Sequence, residues 1–119
     1  MLKKIFKLNS FEIKNIFTKK DTQLKALRGV FFDIKAFYLE NINKEEIKFA
    51  VVISSKSFKK AVERNKIRRQ IYSILEIWQK ENLKIKNIFF IFYPKKEIQN
   101  LKFLDLEKEV YNGLNNLKK

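Results

Sequence analysis

Residues 61–78 read AVERNKIRRQIYSILEIW, and the fold turns on how this stretch is read. Ile67, Ile71, Ile74, Leu75 and Trp78 recur at offsets of four, seven, eight and eleven, the spacing of one face of an α-helix. That stripe predicts a helix whose apolar side lies on a sheet. Val62 falls off it, so regular helix is expected from Glu63 or Arg64 onward. The stretch also concentrates charge unusually. Of the four arginines in the chain, Arg64, Arg68 and Arg69 all fall here, while lysine carries nearly all the remaining positive charge. At ~100° per residue, Arg64, Asn65, Arg68 and Arg69 share one arc beside the stripe, and Tyr72 continues it one turn on.

On either side of the helix lie runs with strand character. Residues 49–53 (FAVVI) and 88–93 (IFFIFY) are apolar enough to be covered on both faces, and Pro94 ends the second. Residues 29–39, rich in aromatic and branched side chains, read as one further strand, followed by a polar loop at 40–46 (ENINKEE). A short additional strand fits residues 23–26. The opening segment reads as a first helix, with Ser10 a candidate N-cap and Ile13, Ile16 and Phe17 on one face. Phe103, Leu106, Val110, Leu114 and Leu117 mark a closing helix. The order is helix, strand, strand, helix, strand, helix, with the extra short strand. At 119 residues, with two glycines and one proline, residues 1–119 are expected to form one domain with one core and no flexible linker.

Charge and composition narrow the chemistry. With 27 Lys and Arg against 13 Asp and Glu, the formal net charge is +14. AT-rich coding explains lysine in place of arginine, but not an excess this large. Such a chain repels itself unless it meets a polyanion, nucleic acid first and an anionic membrane surface second. The absence of cysteine excludes disulfides and thiolate metal sites. The absence of histidine removes the commonest general base and the commonest metal ligand. Glu45–Glu46 and Glu107/Glu109 read as loop and helix-surface charge rather than a two-metal centre. No catalytic residue and no metal site is therefore expected in the protein itself. The opening MLKKIFKLNSF is basic but lacks a continuous apolar run, so a cytoplasmic protein without signal peptide or membrane span is expected.

Arginine's planar fork binds phosphate oxygens in pairs or stacks on a base, and lysine does neither. Asn65 adds a donor and an acceptor. A plain solvated helix face is the alternative, but composition would then have supplied lysine. Surface pairing of Arg64 or Arg68 with Glu63 or Glu76 is a further alternative, worth only ~0–1 kcal/mol.

The run Ala61-Val-Glu-Arg-Asn-Lys-Ile-Arg-Arg69 resembles the signature of the bacterial ribonuclease P protein component. That family carries Ala-Val-x-Arg-Asn-Arg/Lys-x-Lys/Arg-Arg after a strand, at the start of its central helix. The resemblance extends over most of the chain, with three departures. Lys59 stands where the family usually has glycine, Ile13 and Phe17 where it has two aromatics, and Tyr72 where it often has arginine.

The resemblance implies an α/β (α+β) two-layer sandwich, with a mixed sheet of three to four strands and a central basic helix. This is the ribosomal protein S5 domain 2-like fold, with a left-handed βαβ crossover where the general rule is right-handed. It also implies a non-catalytic subunit that binds the catalytic RNA, one to one, together with precursor tRNA. That subunit assists Mg²⁺-dependent removal of the 5′ leader, the metal being held mainly by RNA. Lys56, Lys59, Lys60, Arg64, Asn65, Lys66, Arg68 and Arg69 are then expected on the RNA, although Lys66 lies outside the arginine arc. Phe17, Phe31, Phe32, Ser55 and Tyr72 are expected around the leader, in a cleft between the first helix and the sheet. Ordinary core packing is the competing role for each phenylalanine. Two other classes remain as alternatives: a small ribosomal-type RNA-binding protein without processing activity, and a membrane-surface protein using a basic amphipathic helix.

Overall fold

The computed structural model describes residues 23–38, 47–85 and 88–117. Four strands, β1 (Gln23–Arg28), β2 (Phe32–Tyr38), β3 (Ile47–Val51) and β4 (Ile88–Pro94), form one sheet in the order β1-β2-β4-β3. β1 and β4 run antiparallel to β2, and β3 runs parallel to β4. Helix α1 (Ala61–Glu81) connects these two parallel neighbours in a β-α-β crossover. A 3₁₀ turn (Lys96–Asn100) and helix α2 (Phe103–Leu117) complete the described chain. The expected mixed α+β sheet with a central basic helix is what forms.

The apolar stripe of α1 is buried as its spacing requires, with Ile71, Ile74, Leu75 and Trp78 at 0% exposure. Trp78 meets Phe49 and Phe90 edge-on, at 6.3 and 5.9 Å between ring centroids. Full burial of each large aliphatic or aromatic side chain is worth ~1.5–3 kcal/mol. These contacts therefore lock the helix across β3 and β4. Helix α2 lies beside it over β1 and β2, where Gly113 lets the backbone approach Ile34 and Leu27. The Trp78 Nε1–H donates to Asn115 Oδ1 at 3.1 Å, and the Tyr38 hydroxyl donates to the Leu117 carbonyl. Both helices thus cover one face. On the other, Phe37, Ala50, Phe89 and Ile91 make a smaller apolar cluster edged by Tyr93.

Several boundaries differ from expectation. Helix α1 starts at Ala61, not at Glu63 or Arg64, and Val62 is simply exposed on its first turn. Burial of a stripe locates a helix's middle but not its solvated first turn. The single strand expected at 29–39 is broken by a turn at residues 29–31, and residues 23–28 form a full strand rather than a short one. Gly29 makes that turn possible, because a Cβ there would sit 2.8 Å from the Phe32 carbonyl oxygen. Its N–H donates to Asp33 Oδ1 at 3.2 Å, and Lys95 Nζ reaches both the Gly29 carbonyl (2.7 Å) and Asp33 Oδ1 (3.1 Å). β3 is shifted two residues earlier than the FAVVI run, although Val52 still donates to Phe92 O at 2.8 Å. Phe103 opens α2 but stands 41% exposed. The expected first helix and the loop at 40–46 lie outside the described residues.

Candidate nucleic-acid interface

Between β3 and α1 the chain makes a tight, lysine-bearing loop. The Phe58 N–H donates to Ser54 O at 3.1 Å, and the Lys56 N–H donates to Ser54 Oγ at 3.1 Å. Phe58 is fully buried and anchors the loop from below. Ser55, Lys56, Lys59 and Lys60 are exposed above it. The loop closes with lysine at 59, where the family usually has glycine.

Lys60 is the N-cap of α1, with extended backbone (φ −90°, ψ 133°) and no side-chain cap. Arg64 fills the space behind it. Its Nη1 donates to the carbonyls of Phe58 (2.7 Å) and Lys59 (3.2 Å). One turn on, Arg68 Nη1 donates to Asn65 Oδ1 at 3.3 Å. Arg64 and Arg68 are half-buried, while Asn65 and Arg69 are exposed. Neither Arg64 nor Arg68 bridges Glu63 or Glu76 among the described residues; Glu63 meets Gln99 (3.4 Å) and Glu76 meets Lys80 (3.4 Å). The structure thus brings Lys56, Lys59, Lys60, Arg64, Asn65, Arg68 and Arg69 to one end of α1. Lys66 lies on the opposite flank, lining a groove of about 260 Å³ with Glu63, Ile67, Gln70, Ile98, Gln99 and Leu101.

Of the residues expected around a leader cleft, the described ones have the following surroundings. Phe17 lies outside the described residues. Phe32 is 6% exposed and tilts against Phe92 at 5.7 Å in the helix-side core, which is its competing role. Phe31 is half-buried in the β1–β2 turn, its carbonyl accepting the Lys95 N–H at 2.9 Å. Tyr72 is buried beneath α1. Burial pushes its phenol above the usual tyrosine range, against a hydrogen bond with the Val51 backbone and the charge of Arg68. Ser55 alone of the described members of this group stands exposed.

The face away from the two described helices carries aromatics that no single segment of sequence reveals. Strand register sets Asp33 beside Tyr93, Lys35 beside Ile91 and Phe37 beside Phe89, with Lys48 across from Phe89 on the other side. Lys35 Nζ sits 5.1 Å from the Tyr93 ring centroid, a cation–π contact. Burial raises the Tyr93 pKa as well. The alternation in β2 (Asp33, Lys35, Phe37) is the signal in the sequence, but it acquires meaning only with β4 beside it.

Among the described residues no group of three or more acidic, histidine or cysteine side chains is placed to hold a metal ion. No described helix is long and apolar enough to cross a membrane. Fold and site together define a small basic α+β domain whose cations gather where a lysine loop meets a helix start. A ribonuclease P family model matches residues 9–118, and the chain belongs to that family, the bacterial ribonuclease P protein component. Among solved structures, the RNase P protein of Staphylococcus aureus superposes with a TM-score of 0.73 at 17% identity, covering 94% of each chain. The RNase P protein of Thermotoga maritima gives 0.70 at 19%, covering 95% of this chain and 98% of that one. At such identities these two likenesses speak for the fold. No curated protein matches the sequence.

Proposed function

We propose that this chain binds the catalytic RNA of ribonuclease P and the 5′ leader of precursor tRNA, assisting Mg²⁺-dependent endonucleolytic removal of that leader. One observation carries the reading: the family's signature, residues 61–69, opens α1 directly behind a loop that presents Lys56, Lys59 and Lys60. Cations so grouped neutralise phosphates and release counterions, giving an affinity that falls steeply with salt. Arg68, oriented by Asn65, and exposed Arg69 extend the same surface along the helix. For the leader, Tyr93, half-buried at the edge of the opposite sheet face with Lys35 beside its ring, is a better candidate than Phe32, which is buried in the core. Stacking there tolerates any base, at ~1–3 kcal/mol per base.

No step of cleavage is assigned to the protein in this reading, and the Mg²⁺ is held mainly by RNA phosphates, as the family implies. The complex is one protein to one RNA, in the cytoplasm. Lys66, on the opposite flank of α1, has no place on this surface.

The test is cleavage of a precursor tRNA by a bacterial ribonuclease P RNA at low Mg²⁺, with and without the protein. Stimulated leader removal is expected. Tight, salt-sensitive RNA binding without stimulation would instead identify a general RNA-binding protein and sink the processing role.

A further inference from the structure

The opening arginine of the signature does something different from its neighbours. A cation in the first turn of a helix meets the positive end of the helix dipole, an unfavourable placement unless something offsets it. At Arg64 the offset is visible, since one guanidinium nitrogen reaches the carbonyls of Phe58 and Lys59 together. Those carbonyls belong to the stretch that links the buried Phe58 ring to the exposed Lys59 and Lys60 side chains. The backbone N–H of Arg64 also donates to Lys60 O at 3.2 Å. Since the N-cap offers no side-chain bond of its own, the guanidinium is the group that ties the loop to the helix.

We infer that Arg64 is a positioning residue, which holds the lysine loop in shape and aims Lys59 and Lys60 instead of touching RNA. Charge-assisted bonds from a planar, two-hydrogen nitrogen suit two adjacent carbonyls. Arg69, exposed further along the helix, is the contrasting case. The inference rests on the proposed function for its RNA half only, because the loop clamp is a property of the free protein.

Arg64→Met keeps the aliphatic stem and removes the donors, and Arg69→Met serves as comparator. In the free protein, trypsin should cut after Lys59 and Lys60 at least fivefold faster in Arg64→Met than in wild type, and no faster in Arg69→Met. Unchanged cleavage overturns the clamp. Binding to a bacterial ribonuclease P RNA is then measured as a double-mutant cycle against the paired change Lys59→Ala and Lys60→Ala. If Arg64 acts through these lysines, Arg64→Met weakens binding at least tenfold in wild type but less than twofold in the lysine-free background. Equal losses in both backgrounds, with the salt slope reduced by about 0.9 each time, would mean that Arg64 contacts a phosphate itself. Equal losses without a slope change would mean only general destabilisation, and either result overturns the proposal. Should Arg64→Met fail to fold, Arg64→Lys replaces it. That variant keeps the charge and shortens the reach, so wild-type cleavage and binding in it refute the clamp. A wild-type protein that does not bind the RNA refutes the functional reading, while the tryptic comparison still decides the clamp.

Discussion

Replacing Lys56, Lys59 and Lys60 together by alanine removes three of the five cations assigned to the RNA surface, leaving half-buried Arg68 and exposed Arg69. If each of the five neutralises one phosphate, log affinity falls against log salt with a slope of about −4.5, and the triple variant's slope is about −1.8. Between about 50 and 200 mM salt, wild-type binding to a bacterial ribonuclease P RNA should therefore weaken ~500-fold, and the variant's only ~12-fold. Filter binding across a salt series measures both lines directly. Lys108→Ala, at an exposed position on α2, should give a line superposed on wild type. A triple-variant line parallel to the wild-type line, merely displaced, would show that the loop lysines do not contact phosphates. Since all three side chains are exposed, the substitutions should leave thermal stability nearly unchanged, which separates lost contacts from lost fold.

Other outcomes follow from the core and its edges. Trp78, the only tryptophan, is fully buried, so Trp78→Ala should destabilise by about 3–5 kcal/mol in chemical denaturation, and a loss below ~1 kcal/mol would contradict the packing described. In Gly113→Val the new Cβ would meet Ile34 Cδ1, 2.6 Å from its ideal position, and the melting curve should show a cost of about 1–3 kcal/mol; an unchanged midpoint would argue against so close an approach of α2. The Tyr111 phenol is pushed up to about 12, by burial first and then by the charge of Glu81, a hydrogen bond with it, and the charge of Glu107. A raised folded-state pKa gives stability that is complete below the ordinary tyrosine value near 10 and lost as pH rises toward 12. Tyr111→Phe should make the fall of melting temperature over that window shallower, and an identical pH profile would remove Tyr111 from the account.

Much of the arrangement is legible in the order of residues. The stripe from Ile67 to Trp78 locates α1 and its buried face, because helical period is a local property of the chain. The apolar run at 88–93 marks a strand covered on both faces, and β4, with nearly every side chain buried, is that strand. The arc of Asn65, Arg68 and Arg69 also follows from helical angle alone. Residues whose roles depend on distant partners are harder to read. Phe32 has the look of an available ring until β4 sets Phe92 against it, and Tyr93 gains its setting only when register puts it beside Asp33 with Lys35 near its ring. Tyr72 shares the arginine arc by angle, yet the sheet edge at Val51 covers it.

By itself, then, the amino-acid order determined α1 and β4 with their buried faces, the cationic excess and the signature at the start of α1. Tertiary structure alone decided where the 29–39 run breaks, which aromatics share a sheet face, and that Arg64 turns back onto the carbonyls of its own loop. The physical reason is range. Periodicity and charge are read over one or two helical turns, whereas strand register joins residues some sixty positions apart, such as Asp33 and Tyr93. A guanidinium on a long, flexible stem goes where the nearest acceptors are, and the fold of the preceding loop is what puts those carbonyls within its reach.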